Sequence, residues 1–306
     1  ANPYALAMGP KQTATQRLNL AQAFNPIGLI LGLFVAQQYV LKQLKSDDVL
    51  DFSALDEASK IIIKTTDLMV IRNPYVILGL VIIAVFVLFL IIKMPNSKDD
   101  VFNENIGKTV KRLFKNKDYS NGVVAQVLYV GAQIMCWTYI YQYAEGIGID
   151  SVTAGYYQMA AFVLFTVGRA TGTYLLRFIN AGRLLMIFSL FAIGCTIGVI
   201  LISSILGLYC LVGVSFFMSL MFPTIYGIAL GGLTEDESKI GSAGLVMAIV
   251  GGALMPKLQG MIIDLGGYGV NDINIWGVSE VNLSFALPTF CFLFITIFGL
   301  KSSVNK

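Results

Sequence analysis

Long, nearly uninterrupted apolar blocks alternate with short polar breaks along this chain, and the length of the blocks decides what they are. Residues Ile77 to Ile92 (ILGLVIIAVFVLFLII) carry no polar side chain. With the turn from Asn73 the block reaches the ~20 residues that a helix needs to cross a hydrocarbon layer. Buried helices of soluble proteins show an apolar stripe instead. The pattern predicts eight spans, near residues 17–40, 73–94, 121–144, 153–178, 183–203, 206–230, 240–264 and 282–301, with 1–9 as the tail of an earlier helix. Two connections are long, a polar one over 42–72 and a basic one over 93–121. The fold class expected is therefore an all-α polytopic membrane bundle, with the lipid bilayer as its medium.

Composition sharpens this reading. Hydrophobic residues make up 56% and charged residues 13%, where soluble domains carry about 25% charged; the mean hydropathy is +0.74. The net charge of +3 is too small to suggest a nucleic-acid partner. With no His in the chain, a His metal site or a His general base is excluded. Cys136, Cys195, Cys210 and Cys291 all lie inside apolar runs, where they read as packed hydrophobes without disulfide or zinc roles. No Walker loop, GxGxxG, nucleophile elbow or paired metal ligands occur, so the sequence predicts no enzyme and no cofactor. The chain opens on Ala1 without a signal peptide, and the expectation is a fragment of a longer protein.

The charges orient the bundle. Assigning alternate loops to opposite sides puts Lys11, Arg17, Lys93, Lys98, Lys108, Lys111, Arg112, Lys115, Lys117, Arg177, Arg183, Lys239, Lys301 and Lys306 together. The other side holds Lys42, Lys45, Lys60, Lys64 and Arg72, all in one loop. The positive-inside rule then places both termini in the cytoplasm and the protein in the inner (plasma) membrane. The basic 95–120 segment reads as a cytoplasmic linker with a short surface helix; gripping anionic lipid heads is its alternative role. It separates residues 1–94, which end a first bundle, from 121–306, a complete six-helix second bundle.

Inside the spans only Arg169 and Lys257 are clearly ionisable. Arg169 is expected in the inner third, in a gating or structural ion pair with an acid at the cytoplasmic end, and Lys257 is expected to snorkel outward. Gln22 and Asn25 stand one turn apart. Gln126, Gln133, Trp137 and Tyr141 form a second stripe at spacings of seven, four and four. Amides offer donors and acceptors that suit sugar hydroxyls, and an aromatic ring suits the C–H face of a pyranose. Interhelical glue is the competing role, at ~0.6 kcal/mol per bond. Pro26, Pro223 and Pro256 punctuate three spans, as helix breaks do around transporter cavities.

Five strings carry a resemblance: RLNLAQAFNPIG (17–28), VLYVGAQIMCWTYIYQYAE (127–145), GRATGTYLLRF (168–178), FFMSLMFPTIYGIALGGL (216–233) and GSAGLVMAIVGGALMPKLQG (241–260). Together with the opening ANPY, they resemble the fucose:proton symporter family of the major facilitator superfamily. The resemblance implies two six-helix bundles around a central cavity and transport by alternating access, with the proton as coupling ion. The eight spans would be helices five to twelve, with helices one to three and most of four missing. It places Gln22, Asn25 and Trp137 in the sugar cavity, with Gln133 and Tyr141 on Trp137's stripe. Phe222 falls where the best-known symporter of the family carries a Tyr. The family's coupling carboxylates, in helices one and four, have no counterpart in this chain. The function implied is L-fucose or related hexose:proton symport by a monomer. A glucose/galactose carrier of the same family, or a non-transporting bundle, are the alternatives.

Overall fold

The computed structural model of the chain describes residues 2–7, 9–35, 39–40, 43–44, 55–92, 106–267, 273–275 and 277–304. Two compact units form, one from 1–27 with 103–306 and one from 28–102.

In the larger unit α1 (Asn2–Ala7) leads through a 3-10 turn into α2 (Ala14–Gln22). The chain breaks at Ala23–Phe24 and restarts as α3 (Asn25–Val35), so the span expected over 17–40 is two short helices. Pro26 is the cause, because a proline has no N–H for the carbonyl four residues earlier. Arg17 caps the end of α1: its Nη2 donates to Leu6 O at 2.8 Å and its Nε to Ala5 O at 3.3 Å.

The smaller unit holds the rest of α3 and a 35-residue helix, α4 (Glu57–Ile91), of which no apolar-window residue is buried. Much of the polar connection expected over 42–72 is therefore helical. Asp56 caps α4 by accepting the Ser59 N–H at 3.3 Å, and the Ser59 side chain together with that backbone bond holds its carboxyl below the usual range.

The basic segment holds α5 (Ile106–Lys115), and α6 (Lys117–Thr138) follows it. α6 starts at Lys117, four residues before the span expected from 121, because the Asn116 side-chain Oδ1 accepts from Asp118 and Tyr119 N–H, at 3.0 and 3.2 Å. α6 bends by 41° into α7 (Ile140–Gly146). Then follow α8 (Ser151–Leu175), α9 (Ala181–Leu201), α10 (Ile205–Met218), α11 (Met221–Leu230), α12 (Glu235–Met247), α13 (Gly251–Ile263), a two-stranded hairpin of β1 (Asn274–Ile275) and β2 (Val278–Ser279), α14 (Glu280–Ser284) and α15 (Ala286–Val304). Thr234 and Glu237 form a full capping box on α12.

Among the described residues, five helical stretches are long and apolar enough to span a membrane, and the bent α6–α7 pair makes six. Of the eight expected, α8 is 25 residues long but falls below that apolarity, and α2–α3 is cut in two. Small residues set the packing distances. A Cβ on Gly182 would meet Gly299 O at 2.9 Å, and one on Gly299 would meet Met186 N at 2.9 Å, so α9 and α15 touch backbone to backbone. Gly168 does the same for α8 against the Phe216 carbonyl of α10.

Candidate functional site

Four helices bring a polar and aromatic seam together in three lines. On α8, Gln158, Phe162, Phe165 and Arg169 recur at spacings of four, three and four, and all are buried. On α6 the matching face runs through Gln126 and Tyr129, both fully buried, to the half-buried Gln133 and Trp137. The third line, on α10 and α11, is Ser215, Ser219 and Phe222.

Trp137 is held rigidly. Its Nε1–H donates to Ser215 Oγ at 3.1 Å, and its ring meets Phe162 and Phe165 edge-on at 4.8 and 5.1 Å. Such aromatic pairs contribute about 0.5–1.5 kcal/mol beyond burial. Phe222 lies between two tyrosines, edge to Tyr129 at 6.2 Å and stacked on Tyr226 at 6.4 Å.

Arg169 departs from expectation. It bonds to backbone carbonyls instead of a carboxylate: Nε donates to Ser219 O at 2.7 Å, Nη1 donates to Gln22 O at 2.9 Å, and the guanidinium sits 4.7 Å from the Phe165 ring centre. Each carbonyl lies four residues before a proline, Gln22 before Pro26 and Ser219 before Pro223. Proline cannot supply the N–H that would close the helical bond, so both carbonyls are orphaned by the sequence. One guanidinium, with five donors in a fixed fork, satisfies both and pins α2 to α8 and the α10–α11 junction.

Gln22 and Asn25 do not share a face, because the break at Ala23–Phe24 lies between them. Gln22 is buried and its Nε2 donates to Asn2 Oδ1 at 3.2 Å, whereas Asn25 is exposed at the head of α3. Tyr141 lies on α7, past the bend, and is 42% exposed. Gln126, Gln133 and Trp137 thus keep their stripe and Tyr141 leaves it. Lys257 is exposed, as snorkelling requires.

Sequence reasoning missed several members of this region. Asn19 is fully buried on α2 and donates from Nδ2 to Thr224 Oγ1 of α11 at 3.3 Å. The α8 stripe was legible from its spacing alone. Gln126 Oε1 and Nε2, the Tyr129 hydroxyl, Asn19 Oδ1 and Gln158 Oε1 are buried with no hydrogen-bond partner. A buried polar group left unpaired costs about 1–3 kcal/mol, so the seam is expensive for the fold to keep. Glu280, at the head of α14, is fully buried and accepts the Gly266 N–H at 3.2 Å. Among the described residues no group of three or more His, Cys, Asp or Glu is placed to hold a metal.

Helices of membrane-spanning length around a buried polar seam define a polytopic membrane protein built to admit polar groups into its interior. The chain belongs to the Major Facilitator Superfamily, whose family model matches residues 1–256. It is 50% identical over 308 residues to the L-fucose-proton symporter of Haemophilus influenzae, covering 99% of this chain and 70% of that protein. The L-fucose-proton symporter of Escherichia coli is 30% identical, over 98% of this chain and 67% of that protein. A glucose/galactose transporter of Brucella abortus is 27% identical, over 99% of this chain and 67% of that protein. The crystal structure of a Major Facilitator Superfamily transporter, FucP, in the outward conformation superposes with a TM-score of 0.84 at 29% identity, covering 99% of this chain and 71% of that chain.

Proposed function

We propose that this protein is a secondary active transporter that carries L-fucose, or a closely related hexose, together with a proton by alternating access. The observation that carries the reading is the 50% identity to an L-fucose-proton symporter over 99% of the chain. The seam supports it chemically. Trp137 offers a flat face held by Ser215, Phe162 and Phe165, with Gln133 one turn away as a hydroxyl partner. The proposed sugar contacts extend to Gln22, Asn25 and Tyr141, which lie off that stripe. Phe222 takes the place of a hydroxyl-bearing side chain and narrows the polar contacts available to the sugar. Arg169 is the gate element, closing α2 onto α8 and α11 through the two proline-freed carbonyls.

The same reading places residues 1–94 in a first bundle, 95–120 in a cytoplasmic linker and 121–306 in a second bundle. Both termini face the cytoplasm, the membrane is the inner (plasma) membrane, and the working unit is a monomer. Glucose/galactose transport is the second reading, favoured by the 27% identity to the Brucella abortus transporter.

Proton-driven uptake of labelled L-fucose into membrane vesicles, with the protein at its full natural length, tests the proposal. Concentrative uptake that collapses with an uncoupler and with Trp137→Ala supports it. Uptake of glucose or galactose but not fucose replaces the substrate, and no hexose uptake at all removes the function.

A further inference from the structure

The unpaired polar atoms of the seam are not spread evenly along the bundle. Gln126 and Tyr129 sit one turn apart on α6, both fully buried, and neither the Gln126 amide nor the Tyr129 hydroxyl has a hydrogen-bond partner. Tyr129 meets the edge of Phe222 at 6.2 Å and lies within electrostatic reach of the Arg169 guanidinium. Asn19, with an unpartnered Oδ1, is tied through its Nδ2 to Thr224, two residues beyond Phe222. Gln126 and Tyr129 lie nearer the basic end of α6 than the Gln133–Trp137 pair does. Tyr129 is eight residues, or about 12 Å of helix, before Trp137. Arg169 and its two carbonyl bonds border the same group.

Polar side chains that serve as interhelical glue pair with each other, as Asn19 does with Thr224, whereas Gln126 and Tyr129 have no partner. Together these two present two amide donors, an amide acceptor and a hydroxyl that both donates and accepts. Neighbouring pyranose hydroxyls, each a donor and an acceptor, match that set. The edge-on Tyr129–Phe222 pair supplies an apolar wall beside it.

We propose that Gln126 and Tyr129 form a second hexose subsite on the basic side of Trp137, shut while Arg169 pins α2 and occupied by sugar when that clasp opens. The inference rests on the transport reading above and adds a site and a side to it. Sugar leaving the Trp137 region toward the basic end would exchange its hydroxyl contacts for these. The cost of burying them unpaired in the shut form would favour opening.

Isosteric substitutions separate this role from a packing role. Gln126→Met and Tyr129→Phe keep volume and remove only the polar atoms. In right-side-out and inside-out vesicles loaded with labelled L-fucose gradients, the half-saturating fucose concentration presented from the basic side rises about five- to tenfold in either variant, one hydrogen bond's worth. The value from the opposite side stays within about twofold. The melting temperature of Gln126→Met in detergent equals or exceeds that of the parent, because no partner is lost in the shut form. A fall in melting temperature identifies the amide as glue and overturns the subsite. So does an equal change from both sides, or a change from neither, while the parent still transports fucose. If the parent moves no hexose from either side, the transport reading itself falls and takes the subsite with it.

Discussion

Arg169 shows how one residue's chemistry follows from two others far away in sequence. Pro26 and Pro223 each free a carbonyl, and the guanidinium collects both, at 2.9 and 2.7 Å. Arg169→Leu leaves Gln22 O and Ser219 O unpaired in a buried place, at about 1–3 kcal/mol each. The expected outcome is a loss of ~2–5 kcal/mol in detergent-solubilised thermal or denaturant unfolding. Arg169→Lys, with a single ammonium in place of a fork, recovers only part of it. A variant as stable as the parent would mean that other groups satisfy these carbonyls. The two prolines and the arginine were all visible in the sequence, and so was the need for a partner. What could not be read was that they share one, because an ion pair is the ordinary expectation for an intramembrane arginine and no periodicity links α2 to α8. The same limit hid Asn19, whose partner Thr224 lies 205 residues away.

Helix existence was legible from apolar block length, and helix interruption only where proline marked it. The α2–α3 break follows from Pro26, but the bend after Thr138 has no Pro or Gly at its joint and left no signal. The start of α4 was missed because its first turns alternate charged and apolar residues, which reads as a polar connection until the Asp56 cap is recognised. The basic segment makes a sharper case. Its surface helix, α5, is amphipathic, with Thr109 and Leu113 buried and Lys108, Lys111 and Lys115 outward. Leu113 joins Leu18, Tyr119, Tyr226 and Leu245 in a small core, and Arg112 pairs with Glu237 at the capping box of α12. Leu113→Ala is expected to cost about 2–5 kcal/mol, read as earlier unfolding and faster proteolysis between 93 and 121. The ion pair is half exposed on its arginine side, so Arg112→Glu alone costs at most about 1 kcal/mol. The swapped double variant with Glu237→Arg should recover most of that; no recovery would show that Glu237 acts through its cap alone. Where α8 meets α10, Gly168→Ala places a methyl against the Phe216 carbonyl, and ~1–3 kcal/mol of destabilisation is expected.

At the scale of the whole molecule the charges and the helices make one joint demand. Lys115 stands at the foot of α6, and Glu145 at the end of α7, so a single bent span carries a basic end and an acidic end. Arg112 of α5 reaches Glu237 beside the 231–234 turn, which puts that turn at the same end as the basic segment, as the alternation of loops requires. Translocating lysine and arginine is resisted, whereas acidic residues weigh little in that choice. Fourteen basic residues assigned to one side against five assigned to the other therefore predict the orientation more strongly than any single loop does. The expected outcome is that a membrane-impermeant maleimide added to intact cells labels Glu145→Cys and leaves Lys115→Cys untouched until the membrane is opened. Both positions are exposed; Cys136 and Cys291 are buried, and the half-buried Cys195 and Cys210 are replaced by Ser in both variants to keep the background low. Labelling of Lys115→Cys from outside would invert the bundle, and the basic-side subsite would then face the sugar's entrance rather than its exit. Equal labelling of both would mean that two orientations coexist. Either result would refute the charge argument while leaving the family and the fold where they stand.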